Sequence, residues 1–141
     1  MNIYEVQPIF NHVTHPFDLT IDAPGSKSIT NRSLMLAALA DGETLLKGTL
    51  FSDDSRHFLQ CLMDLGFDVV IDEPAHTVRV TGLGGRIPKE TAAINVGSAG
   101  TAARFLTAML GCAKGVWHLD ASEQMKKRPM AALLNTLTAL G

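Results

Sequence analysis

Gly25-Ser-Lys-Ser28, with Arg32 four residues further on, puts one ammonium, two hydroxyls and one guanidinium within about two helical turns. Such groups suit an anion, the lysine as a point charge and the arginine as a fork. A second set follows at Gly97-Ser-Ala-Gly-Thr101, with Arg104 one turn on, and a third at Lys126-Lys127-Arg128, directly before Pro129. Each set lies where a helix is expected to begin. A helix start carries partial positive charge and unpaired amide donors, so acidic residues belong there. Ser52-Asp53-Asp54 obeys that rule and serves as an internal control, whereas no Asp or Glu follows Ser26 until Asp41. Each misplaced cation costs from a few tenths to ~1 kcal/mol, and a bound phosphate or carboxylate reverses the sign. Ser28 and Arg32 share a helix face, and the small residues at 97–100 let a ligand approach the backbone closely. Structural readings stand beside this one. Lys27 and Lys126-Lys127 also suit solvated surface, Arg32 and Arg104 suit interior pairing with Asp53 or Asp54, and Gly97 and Gly100 suit plain turn and packing roles. The five histidines show no metal-ligand spacing.

The elements that must position these groups follow from periodicity. Phe17–Asp22 alternates as a strand. Pro24-Gly25 breaks it, and Ser26 caps a helix running to about Ala40, apolar all round in its second half and stopped at Gly42. Glu43–Gly48 reads as a strand. Ser52-Asp53-Asp54 caps a second helix with Phe58, Cys61, Leu62 and Leu65 on one stripe and Gly66 as its stop. Strands at Phe67–Ile71 and Thr77–Thr81 flank a turn. A strand at Ala92–Val96, a helix to about Cys112, a strand at Gly115–Asp120 and a helix opened by Pro129 follow. That last helix carries Met130, Leu133, Leu134, Leu137 and Leu140 on one stripe.

The order βαβαββ thus begins a second time. Gly25, Ser26, Arg32 and Leu34 fall on Gly97, Ser98, Arg104 and Leu106 at a constant spacing of 72, which points to internal duplication. The second copy lacks the closing strands of the first. An unpaired sheet edge and an uncovered helix face are therefore expected, together with continuation into a longer protein.

Composition narrows the class. The chain has 141 residues, 46% hydrophobic and 18% charged, which suits one α/β domain rather than a disordered chain. Twelve cationic against fourteen acidic side chains give a net charge of −2, so a general nucleic-acid binder is not expected. No secretory signal is visible at Met1–Glu5, and the apolar run Leu34–Ala40 is too short to span a bilayer; a cytoplasmic location is expected. Cys61 and Cys112 are expected as a free, buried pair.

At Pro24-Gly-Ser-Lys-Ser-Ile-Thr-Asn-Arg32 the sequence resembles the 5-enolpyruvylshikimate-3-phosphate synthase family. The resemblance continues through Ser52-Asp-Asp-Ser-Arg56, Gly97–Arg104 and Met125-Lys-Lys-Arg-Pro129. It implies repeated βαβαββ units in two lobes, with helix starts aimed at a cleft: one full unit at about 21–84, most of a second at 90–141, and residues 1–20 beginning in the other lobe. It implies transfer of the enolpyruvyl group of phosphoenolpyruvate to the 5-hydroxyl of shikimate-3-phosphate, releasing phosphate, in the shikimate pathway to chorismate and the aromatic amino acids. It implies neither metal nor organic cofactor, glyphosate as an inhibitor, and a monomeric full-length enzyme. Lys27, Ser28 and Arg32 would hold shikimate-3-phosphate; Lys27, Gly100 and Gln124 would meet phosphoenolpyruvate; Ser98, Thr101, Arg104 and Arg128 would support them. The proton-transfer residues would lie in the other lobe, so the chain alone is expected to be inactive. One departure stands out: the family has Arg where this chain has Gln124, losing a charged, bidentate grip. Two other readings stay open. One is the sister enolpyruvyl transferase acting on UDP-N-acetylglucosamine, which carries Asn at the position of Ser28. The other is a phosphate-binding module similar to the RNA 3′-phosphate cyclases.

Overall fold

The computed structural model describes Thr20 and residues 23–141. The strand expected at Phe17–Asp22 lies outside the described residues. The elements run α1 (Lys27–Leu39), β1 (Asp41–Lys47), α2 (Asp53–Asp64), β2 (Asp68–Asp72), β3 (Thr77–Leu83), β4 (Thr91–Asn95), α3 (Gly100–Gly111), β5 (Val116–Asp120), α4 (Glu123–Lys126) and α5 (Ala131–Leu140). The chain is α/β. β1, β3 and β2 form an antiparallel sheet in that order, while β4 and β5 pair in parallel.

Helices α1, α2 and α3 supply most of the core, with Leu34, Phe58, Leu59, Leu62 and Leu106 fully buried against Val78, Val80 and Val96. Ser26 caps α1, its Oγ accepting from the Ile29 amide, and Gly66 ends α2 with φ +92. Strand β3 crosses the last turn of α1 so closely that a Cβ on Gly82 would overlap the carbonyl oxygens of Ala37 and Ala40.

Two expectations need correction. The apolar end of α1 is not buried all round: Leu34, Ala37 and Ala38 are, but Leu36 is 66% exposed, because the sheet and the other helices cover only one side. The cysteines are both free, but only Cys61 is buried, donating to the Asn95 carbonyl at 3.4 Å; Cys112 follows the last turn of α3 and is exposed. Burial pushes the Cys61 thiol up to about 12, so it stays protonated and inert. An uncovered helix face, as expected for the second copy, is found on α5. Leu137 packs on Gly111 of α3, while Leu134 and Leu140 stay exposed. Between α3, β5 and α5 lies an apolar groove of about 640 Å³, lined among others by Leu110, Trp117 and Met130. Among the described residues, no helix is long and apolar enough to cross a membrane.

Candidate functional site

The starts of α1, α2 and α3 lie at one end of the molecule, held there by short links. The backbone of Leu50 joins the first two: its amide donates to Thr30 Oγ1 at 3.1 Å, and its carbonyl accepts from Ser55 Oγ. Thr30 and Ser55 are both buried, so this clamp sets the spacing of α1 and α2. Lys27, the first residue of α1, adds an ion pair to Asp54 in the first turn of α2, Nζ to Oδ2 at 3.2 Å. His57, also near the start of α2, fills the space where any Cβ on Gly97 would sit. Gly97 has φ +55 besides, so its role is structural: only glycine fits.

Two of the expected cations share one local geometry. Arg32 Nη1 donates to the Ser28 carbonyl at 3.1 Å, and Arg104 Nη1 to the Gly100 carbonyl at 3.1 Å. Donor and acceptor are both displaced by the 72 residues read from the sequence. Helical side chains lean toward the helix start, so both guanidinium groups lie back along their helices toward the positive end. Neither has a carboxylate partner among the described residues, so the alternative of pairing with Asp53 or Asp54 does not hold. Asp54 does pair, but with Lys27.

Gly100 opens α3 and is buried, and a Cβ there would come within 2.7 Å of Arg128 Nη1 and 3.2 Å of Arg104 Nη1. Arg128, more than twenty residues on, is thereby brought beside Gly100 and Arg104 of α3. Arg104 Nη2 also donates to the Pro129 carbonyl at 3.3 Å, tying the chain around Arg128 to α3. Ser98 does not cap α3. The cap position is Ala99, which offers no side-chain acceptor, and Thr101 follows in the first turn, half-buried. The first amides of α3 therefore keep their donors, beside two guanidinium groups.

The third cation set is placed differently from expectation. Lys126-Lys127-Arg128 does not open the helix after Pro129. Ser122 caps the short helix α4, Lys126 is its last residue, and α5 begins only at Ala131. A cation is favoured at that C-terminal end. Lys126 is further held by Asp120 at 3.0 Å and Glu123 at 3.1 Å. These bonds raise the Lys126 ammonium, and Lys126 keeps the Asp120 carboxyl below its usual range. Of the three cations only Arg128 reaches an open helix start. Gln124 sits on α4 with its side chain exposed. Lys27, Ser28 and Arg32 are also exposed.

Asn31 escaped the sequence reading. It is fully buried, one turn beyond Lys27, and its carboxamide has no hydrogen-bond partner among the described residues. The signal was its spacing, three residues before Leu34 and seven before Ala38, which puts it on the buried face of α1.

What this end of the molecule can do is hold anions: amides at the uncapped start of α3, one ammonium and three guanidinium groups. The apolar groove beside α5 has no such groups. Comparison with known proteins identifies the family. The sequence model of the family described as EPSP synthase (3-phosphoshikimate 1-carboxyvinyltransferase) matches residues 13–141. The chain is 43% identical over 129 residues to the 3-phosphoshikimate 1-carboxyvinyltransferase of Trichormus variabilis, covering 92% of this chain and 30% of that protein. It is 45% identical over 130 residues to the one from Opitutus terrae, covering 91% and 30%. The EPSP synthase structure from Acinetobacter baumannii superposes with a TM-score of 0.73 at 29% identity, covering 86% of this chain and 27% of that one. The chain thus spans about 30% of the length of the curated relatives it matches. A family match across nearly all of it, on the segments that carry the cations, leads to one conclusion: the chain belongs to the EPSP synthase family.

Proposed function

We propose that this chain forms part of a cytoplasmic transferase that moves the enolpyruvyl group of phosphoenolpyruvate to the 5-hydroxyl of shikimate-3-phosphate. The observation that carries the reading is the gathering of Gly100, Arg104 and Arg128 at the uncapped start of α3, at the same end as the Lys27 start of α1. On this reading Lys27, Ser28 and Arg32 take shikimate-3-phosphate, and Lys27 with the amide of Gly100 takes phosphoenolpyruvate. Ser98, Thr101, Arg104 and Arg128 shape and charge the same end. Units at about 21–84 and 90–141 present their helix starts to a common cleft. No nucleic acid takes part, and the whole enzyme acts as a monomer. A chimera in which this chain replaces the aligned segment of the Trichormus variabilis relative tests the reading. Release of phosphate dependent on both substrates is expected; a well-folded chimera that binds neither would refute it.

Gln124 yields a prediction in the same chimera. Lys126 already has two carboxylate partners, Asp120 and Glu123, which offset part of the charge it could lend beside position 124. Gln124→Arg is therefore expected to lower the Michaelis constant for phosphoenolpyruvate roughly tenfold, about 1.4 kcal/mol, and to strengthen inhibition by glyphosate. The constant for shikimate-3-phosphate should move little. Steady-state kinetics decide it; if both constants stay put, either Lys126 already supplies the charge or position 124 does not face the ligand, and Gln124 leaves the site.

A further inference from the structure

We infer that Asp54 is a positioning residue: it holds the ammonium of Lys27 in place for an anion at the start of α1. The inference rests on the anion site proposed above, and on an ion pair that the repeat pattern alone would not produce.

Lys27 stands at the first position of α1, where its charge is repelled by the amides of its own helix. Nothing acidic lies in the first turn of α1 to offset this, whereas α2 has Asp53 and Asp54 in its first turn. Of these two, only Asp54 pairs with Lys27, at 3.2 Å, and its side chain is 21% exposed against 51% for the lysine. The less exposed partner is the acid, so the carboxylate is the anchor and the ammonium is the end that faces outward. The spacing of the two helices does not depend on the pair, because Leu50 already clamps Thr30 of α1 to Ser55 of α2. An ammonium has three protons to donate. One directed at Asp54 leaves two for a ligand and removes the freedom of a long, flexible side chain, much of which is otherwise lost on binding.

The alternative has the opposite sign. A carboxylate that merely cancels the lysine's charge weakens anion binding, so removing it should tighten binding. A positioning carboxylate does the reverse. Inorganic phosphate is the probe, titrated into this chain and followed by amide chemical shifts, with Lys27→Met, Asp54→Asn and the double variant. Asp54→Asn is expected to weaken phosphate at least threefold. Its effect should vanish in the Lys27→Met background, because it acts through that lysine. A stability change from the altered helix start alone would move the melting temperature but produce no such coupling. If Lys27→Met weakens phosphate while Asp54→Asn leaves it unchanged or tightens it, the positioning role is overturned and the site stands. If Lys27→Met itself changes nothing, both are overturned.

Discussion

Lys27→Met is expected to weaken the binding of phosphoenolpyruvate and of shikimate-3-phosphate alike, each by about 1.5–3 kcal/mol, roughly 10- to 150-fold. The size follows from what the lysine does with and without a ligand. Without one, its partner is Asp54, in a pair half open to water on the lysine side. Pairs of that kind contribute about 0–1 kcal/mol, so the lysine is not sequestered. A charge-assisted contact to a desolvated phosphate or carboxylate is worth more, and the difference is what the substitution removes. Met retains the helix propensity and most of the stem, so α1 should persist with its Ser26 cap. The measurement is calorimetric titration of each substrate into the chimera described above. Unchanged affinity for both would return Lys27 to a surface role.

Gly82→Ala is expected to destabilise the fold by about 3 kcal/mol, near the upper end of ordinary overpacking. The added methyl would overlap the carbonyl oxygens of Ala37 and Ala40, which are backbone and cannot swing aside as a side chain could. Relief requires β3 to move away from α1, yet β3 is the middle strand of its sheet, paired on both sides. Gly82 lies opposite Gly42 in the β1–β3 register, and Gly42, the second residue of β1 just past the end of α1, has φ +95. The strain therefore falls on the connection that seats α1. Urea unfolding should show a lower midpoint with little change in slope. A loss below about 0.5 kcal/mol would mean that the helix end yields more readily than its packing implies.

How far the sequence went can be judged residue by residue. The Ser26 and Ser52 caps and the Gly66 stop were legible because each depends on local backbone chemistry alone. So was the 72-residue repeat, which reappears as matching arginine-to-carbonyl bonds at Arg32 and Arg104. Short α4 was passed over, although Ser122-Glu123 is a capping signal, because Pro129 is the stronger punctuation nearby. Pro129 alone puts Lys126 at a helix start, whereas α4 puts it at a helix end. Asp54 was considered as a partner for an arginine, and it does pair, but with Lys27. Which cation reaches it depends on the angle at which α1 meets α2, and periodicity carries no information about that. The exposure of Cys112 was hidden for a related reason: it lies just past the end of α3, where the helical pattern still reads as apolar but the packing has stopped.

On the proposed function, the starts of α1 and α3 bind anions through their amides and the cations gathered beside them. A titration of the isotopically labelled chain with phosphoenolpyruvate, read residue by residue through its amide resonances, tests this most directly. Saturable shifts are expected to concentrate at Ser26–Ser28 and at Ala99–Thr101, with none along the apolar groove between α3 and α5. Saturable shifts centred on that groove, or none at either helix start up to tens of millimolar ligand, would contradict it.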